Sequence, residues 1–343
     1  MCGPVMNKSR NIAVLSETWE LKDPFVIAHG TCTETRVVVV EIRQAGCIGR
    51  GEGVPTGLYG ETVLSVVNQI REISPLLKKG LQPEVLLDKM PPGAARNAVD
   101  CALWDLRAKL EKRAVSDLMG VAWPQNITSV QTVSIGSPKQ MGQAAAQLAG
   151  FPVLKIKLDA EDVIARLEAV HGKAPGCGLL IDANESWTID ILEAVAARAR
   201  ELNIVLIEQP LPAGQDSALK GLDLDVPIGA DESCHTSADL GKLAGLYDVI
   251  NIKLDKAGGL TEAMNLYNRA SRDGFQVMVG CMLGTSLSIA PAMLIAQFAS
   301  YVDLDSPALL RHDCKYGLSL NNGEMSALDP RLWGGVASGY KAR

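Results

Sequence analysis

From about residue 125 onward, short apolar runs alternate with stretches whose apolar residues recur every three or four positions. A continuous apolar run between amphipathic stretches predicts a strand of a parallel sheet covered on both faces, with a helix in each connection. The runs are 130–135, 153–158, 179–182, 204–208, 227–231, 249–253, 276–280 and 301–304. They start roughly 22 to 27 residues apart, the length of one β/α unit. Eight such units can close into a barrel; an open doubly wound sheet is the alternative, but it more often uses five or six strands. Ahead of them the pattern differs. The Val-rich stretch 35–42 (TRVVVVEI) predicts a strand, Gln44-Ala45-Gly46 a turn, and 47–52 a returning hairpin strand. Residues 61–77 carry apolar positions at helical spacing. Pro91-Pro92-Gly93 opens a second helix running to about Arg113, with Val99, Leu103, Leu106 and Leu110 on one face. A small α+β unit therefore precedes the repeat.

Composition narrows this picture. The chain has 343 residues, 47% hydrophobic and 21% charged, enough to bury a large core. Its formal net charge is −6 and its basic residues are scattered, so neither nucleic acid nor an anionic membrane is an expected partner. The uncharged stretch 274–302 contains Gly, Ser, Thr, Gln and Pro291; it reads as a buried strand, a loop and a buried helix rather than a membrane span. The eight cysteines are widely spaced with no CxxC pair, and no signal segment is expected ahead of the chain. Free thiols in a reducing cytoplasm are expected.

The charged residues inside the apolar strands are the informative ones. Lys155 and Lys157 lie in the second strand of the repeat. Asp182 ends the third, Glu208 the fourth, Asp231 the fifth and Lys253 the sixth; Asp303 and Asp305 end the eighth. An ionised group in an apolar strand is costly unless it is paired or metal-bound. Strand C-termini converge on one mouth of a barrel, where active sites of such barrels sit. Three carboxylates gathered there raise one another's pKa, and a hard divalent cation relieves the repulsion. The all-oxygen set suits Mg²⁺, with Mn²⁺ chemically close; zinc is disfavoured because no His or Cys lies at matching strand ends. Lys155 and Lys157 share a strand face, and their mutual repulsion, together with the metal's charge, should lower their pKa toward that of a usable base. Lys253, four strands later, approaches from across the barrel. Two bases on opposite sides of one carbon allow proton removal on one face and return on the other, which inverts a stereocentre. Asp303 and Asp305, on one face if the strand continues through Leu304, form an acidic patch suited to a substrate ammonium.

Together with the segments PFVIAHG, VVVVEI, AARNAVDCALWDL, KIKLD, DANESW, EQPLP, ADESCHT, NIKLDKAGGLTEA, GCMLGTS and DLD, these residues give a chain that resembles the enolase superfamily. The resemblance is to its muconate-lactonizing-like branch, and within it to dipeptide epimerases of the L-Ala-D/L-Glu type. It implies an α+β capping domain (1–124), a modified TIM barrel, (β/α)7β (125–318), and a tail (319–343) returning to the capping domain. It implies one Mg²⁺ on Asp182, Glu208 and Asp231, Lys157 and Lys253 as opposed acid/base lysines, and Lys155 as their companion. Asn184 and Glu232 match positions that support the ligands from behind. Asp303 and Asp305 match the pair that binds a dipeptide's free amino group. The α-carbon of the dipeptide's C-terminal residue is then inverted by 1,1-proton transfer through an enediolate, and a homo-oligomer is the expected assembly. One segment departs from the pattern. Where Ala-Glu epimerases read like IARGSR, this chain reads IAHGTC, so His29 and Cys32 stand at the two arginine positions, and the second capping loop, with Thr56 and Tyr59, has no basic residue. A smaller or apolar C-terminal residue, glutamate held without a cation, or a charge from Arg50 or the C-terminus all fit. N-acylamino-acid racemisation, o-succinylbenzoate synthesis and cycloisomerisation use similar frameworks. A non-catalytic, metal-stabilised binding protein is the reading from a different class.

Overall fold

The computed structural model describes residues 9–336. Its N-terminal part is a three-stranded antiparallel sheet of β1 (Asn11–Ile27), β2 (Gly30–Gln44) and β3 (Cys47–Gly53), backed by helices Val63–Lys78 and Ala94–Glu111. β2 and β3 occupy the expected hairpin. β1 lies on a stretch without clean alternation, and its ladder to β2 slips between Glu20 and Phe25. Thr62 and Ser65 form a reciprocal capping box that starts the first helix.

The packing of the second helix follows from small residues at matched periods. Gly49, Gly51 and Gly53 share one face of β3, and Ala94, Ala98 and Ala102 share one stripe of the helix. A Cβ on any of these glycines would collide with the backbone carbonyl of Ala102, Ala98 or Ala94 respectively. Another stripe of the same helix turns polar groups toward the second part of the chain. Arg96 donates to the carbonyl of Gly258 (3.0 Å), Asn97 to Asp255 (2.8 Å), and Asp100 accepts from the Thr261 amide (3.0 Å) and hydroxyl (2.6 Å).

That second part is an eight-stranded parallel sheet in sequential order: β4 (Gln131–Val133), β5 (Val153–Lys157), β6 (Gly178–Asp182), β7 (Ile204–Glu208), β8 (Ile228–Ala230), β9 (Val249–Lys253), β10 (Gln276–Gly280) and β11 (Tyr301–Asp303). All eight expected runs are strands. The ring closes where the Val130 amide, just before β4, donates to the Val302 carbonyl of β11 (2.9 Å). The connections depart from strict alternation. Between β7 and β8 lies only a 3₁₀ turn, Asp216–Leu219, in a Pro- and Gly-rich segment, and between β8 and β9 only Leu240–Leu243. After β11 a single turn, Ser306–Leu309, replaces a full helix, so the architecture is a modified (β/α)7β TIM barrel with an N-terminal α+β layer on top. Helix Ser286–Ala296 is buried along its whole length, which accounts for its uncharged sequence. No helix among the described residues is long and apolar enough to cross a membrane.

The last described residues return over the barrel. β12 (Leu320–Asn321) and β13 (Glu324–Met325) form a short hairpin, and Glu324 bridges Thr128. Trp333 is fully buried and donates to the Cys101 carbonyl (3.0 Å), while the Gly334 amide donates to Asp105 (2.8 Å). The outer ends of the expected capping and tail segments, residues 1–8 and 337–343, lie outside the described residues. The seven cysteines among the described residues are free.

Candidate active site

Register brings the carboxylates together. In the parallel ladder Lys157 pairs with Asp182, and Asp182 with Glu208. Glu208 pairs with Gly229, which places Asp231 one step beyond the end of β8. All three carboxylates are fully buried. Lysines stand between them: Lys155 Nζ is 2.9 Å from Asp182, 2.7 Å from Glu208 and 2.6 Å from Asp303. Lys157 Nζ donates to Asp182 (2.6 Å) and Asn184 (3.2 Å). Lys253 Nζ lies 2.5 Å from Asp231, on the opposite side of the mouth.

These surroundings correct the expected direction for Lys155. Burial pushes the Lys155 ammonium down, but Asp182, Asp303 and Glu208 override it and hold the group well above the ordinary lysine range. Lys253 behaves alike: burial lowers it, Asp231 raises it, and the net direction is upward. For Lys155 the repulsion expected from its neighbour is outweighed because three carboxylates face it at under 3 Å. The carboxylates also split rather than rising together. Burial raises Asp182 and Asp231, but lysines pull both below the usual range: chiefly Lys155 and Lys157 for Asp182, Lys253 and Lys256 for Asp231. Glu208, dominated by burial and by Asp182, is pushed up to about 7.

The donor set fits a hard divalent cation. Every ligand offered by Asp182, Glu208 and Asp231 is a carboxylate oxygen. Glu208 Oε2 and Asp231 Oδ1 are buried and make no hydrogen bond of ordinary geometry; an ammonium lies near each, at 2.7 and 2.6 Å. Buried carboxylate oxygens balanced only by a nearby ammonium are available to such a cation. Asn184 supports the set from behind: its backbone amide donates to Asp182 (3.0 Å), and its side chain links Lys157 to Glu232 (3.2 Å). Burial, then the neighbouring Asp231, raises Glu232 to about 8.

Above these groups is a cavity of about 790 Å³, within the range of small-ligand sites. Its floor includes Lys155, Lys157, Lys253, Asp303 and Asp305; its roof includes His29, Cys32, Thr56 and Tyr59 from the two capping loops, with Phe25, Ile27 and Leu58. Asp303 and Asp305 thus reach one cavity, though not by strand alternation. β11 ends at Asp303, and Asp305 sits in a helical conformation (φ −84°, ψ −5°) at the start of Ser306–Leu309. Asp305 accepts from the Thr132 amide (2.7 Å) and Gln131 (3.2 Å), and burial raises it to about 7. Tyr59 packs edge-on against His235, 4.6 Å between ring centroids. Arg50 is not among the residues that line the cavity: it reaches the Leu332 carbonyl (2.8 Å).

Several residues that build this centre were not singled out from sequence. Lys256 is fully buried, lies 2.6 Å from Asp231 Oδ1, and donates to the carbonyls of Asp231, Cys234 (2.8 Å) and Asn251 (3.0 Å). Asn251, central in β9, donates to Glu208 (2.5 Å). Glu185 stands 3.6 Å from His29. A polar residue inside an apolar strand was the available signal for Asn251; the second lysine of NIKLDK was the signal for Lys256.

Residues 9–120 match the family of mandelate racemase / muconate lactonizing enzyme N-terminal domains, and residues 140–330 match the enolase C-terminal domain-like family. The chain belongs to the enolase superfamily. It is 45% identical to the L-Ala-D/L-Glu epimerase of Escherichia coli (strain K12), over 92% of this chain and 99% of that protein. It is 43% identical to an N-acetyl-D-glutamate racemase of a Pseudoalteromonas species, over 88% and 96%. Among solved structures, an enolase family member from Agrobacterium tumefaciens with homology to dipeptide epimerases, holding sodium and L-Ala-L-Glu, superposes with a TM-score of 0.92 at 44% identity, covering 95% of this chain and 100% of that one. The dipeptide epimerase of Enterococcus faecalis V583, complexed with Mg and L-Leu-L-Tyr, superposes at 0.87 and 31% identity, covering 94% and 97%. This superfamily member is an isomerase acting on amino acid derivatives.

Proposed function

We propose that this isomerase epimerises a dipeptide at the α-carbon of its C-terminal residue by 1,1-proton transfer. The observation that carries the reading is the opposition of Lys157 and Lys253 across one cavity whose remaining floor is Asp303 and Asp305. Lys157, at the end of β5, takes the α-proton from one face and holds it on Nζ. Lys253, at the end of β9, delivers a proton to the other face; the reverse direction exchanges their roles. Lys155 neutralises the carboxylates between them. Asp303 and Asp305 receive the free ammonium and so fix which end of the dipeptide lies over the lysines. Asp182, Glu208 and Asp231 would hold Mg²⁺, with Mn²⁺ able to substitute; that ion supplies electrostatic stabilisation of the substrate carboxylate as the α-proton leaves. The metal- and dipeptide-bound structure of the Enterococcus faecalis relative supports this assignment.

His29 faces Glu185 at 3.6 Å and Cys32 cannot supply a cation, whereas Phe25, Ile27 and Leu58 give the roof an apolar side. These features favour small or apolar C-terminal residues alongside L-Ala-L-Glu, the ligand of the similar Agrobacterium protein. Bonds from Arg50, Trp333 and Gly334 support reading 1–124 as the capping domain, 125–318 as the barrel and 319–343 as the tail. A second reading, racemisation of an N-acylamino acid, is favoured by the Pseudoalteromonas relative. The deciding experiment incubates a dipeptide library and N-acetyl amino acids with the Mg²⁺-loaded protein in D₂O and reads α-deuterium by mass. Exchange confined to dipeptides with a free amine supports the first reading, and exchange confined to N-acyl compounds overturns it. Lys157→Ala should stop exchange from one stereoisomer and Lys253→Ala from its epimer, with Mg²⁺ affinity kept. A non-catalytic binder would show no exchange at all.

A further inference from the structure

We propose that His29, Glu185 and Glu232 form a second cation site, of the borderline class that pairs an imidazole with carboxylates and is typified by Zn²⁺. The three residues come from distant parts of the chain. His29 lies on the tight turn between β1 and β2, Glu185 follows β6, and Glu232 follows β8. Among the described residues, theirs is the group of three donors whose ligand atoms all lie within 4.8 Å of one another. His29 Nε2 and Glu185 Oε2 are 3.6 Å apart, too long for a hydrogen bond. Two metal bonds of about 2.1 Å at a tetrahedral angle place their donors roughly 3.4 Å apart, and in line roughly 4.2 Å apart. Glu232 offers a carboxylate oxygen within 4.8 Å of both, so a contraction of the three donors toward one ion closes the site.

Each carboxylate is already half committed. Glu185 Oε1 accepts from the Ala213 amide (2.7 Å), which leaves Oε2 facing His29. Glu232 Oε1 accepts from Asn184 (3.2 Å), while Oε2 is buried without a partner and Glu232 as a whole is 8% exposed. A buried orphan oxygen signals a missing partner, and a cation shared with an imidazole supplies one. Imidazole distinguishes this site from the all-oxygen set of Asp182, Glu208 and Asp231 and selects a softer ion. His29, Asn184 and Glu232 line the cavity, so the fourth coordination position opens toward substrate. An ion there ties the capping turn to the barrel one side chain away from Lys157, because Asn184 contacts both Glu232 and Lys157. Zn²⁺ is then a regulator that closes the roof and competes with substrate.

This claim goes beyond the proposed reaction, and its binding readout does not depend on turnover. The experiment titrates Zn²⁺ into Mg²⁺-saturated protein by calorimetry and follows Co²⁺ by visible absorption. Wild type should take up one further ion. His29→Ala and Glu185→Gln should weaken that step at least tenfold and remove the Co²⁺ band, whereas His312→Ala, on an exposed loop, and Asp231→Asn should retain it. Unchanged binding in both His29→Ala and Glu185→Gln, as a plain ion pair predicts, overturns the site, and so does loss of the step in Asp231→Asn alone. Epimerisation lost with Zn²⁺ binding intact would sink the proposed reaction and leave this site standing.

Discussion

Glu52 offers the sharpest test of how the two layers are joined. The residue ends near the top of β3 and is buried against the start of helix Ser286–Ala296, where its carboxyl accepts from the Thr285 amide (2.8 Å) and hydroxyl (2.6 Å). Burial raises its pKa from 4.5 to about 8, with Asp255 adding to the rise and the Thr285 bonds opposing it. Below pH 4.5 both folded and unfolded chains hold the proton. Between 4.5 and 8 the folded chain keeps it and the unfolded chain releases it, so this group's contribution falls as pH rises and is fully lost above 8. Between pH 5 and pH 8 the loss integrates to about 3–4 kcal/mol at 1.36 kcal/mol per pH unit. Glu52→Gln removes the titration and keeps an acceptor for the Thr285 amide. Urea unfolding followed by tryptophan fluorescence should therefore show the variant gaining on wild type by about that amount from pH 5 to pH 8. A wild type–variant difference that stays constant with pH would refute the reasoning, because Glu52 would then be ionised in the folded protein.

Three further outcomes follow from the same geometry. Lys155→Met leaves Asp182, Glu208 and Asp303 facing one another and should destabilise the metal-free protein by about 3–5 kcal/mol; added Mg²⁺ should recover part of it, and an equal melting-point loss with and without Mg²⁺ would contradict the shared-charge account. Gly51→Ala drives a methyl into the backbone of the helix behind it and should cost about 1–3 kcal/mol; an unchanged melting temperature would show that the strand–helix spacing yields. Asp305→Asn should raise KM for free-amine dipeptides by roughly tenfold to a hundredfold, the worth of a charged hydrogen bond, with little change in kcat. Equal effects on N-acetylated substrates would remove Asp305 from ammonium binding.

The sequence by itself determined the strands of the barrel and the candidate charged residues of the mouth. Both are local signals: a continuous apolar run marks a strand covered on two faces, and a lone Lys, Asp or Glu at its end has nowhere else to point. The same locality explains what was missed. β1 carries no clean alternation because its ladder is interrupted and much of it is exposed. The β7–β8 and β8–β9 links read as helical units, yet each holds only a single turn, the first in a Pro- and Gly-rich segment. Only the tertiary structure decided the electrostatics of the mouth. Lys155 and Lys157 are near neighbours in sequence and suggested mutual repulsion, but carboxylates from β6, β7 and β11 close in on Lys155 and reverse the direction of its shift. It also decided that Lys256 braces Asp231, that Arg50 is spent on the tail, and that His29 meets Glu185 and Glu232 from across the capping turn. A pKa or a ligand set is a sum over spatial neighbours, and in this fold those neighbours are separated by dozens to hundreds of residues.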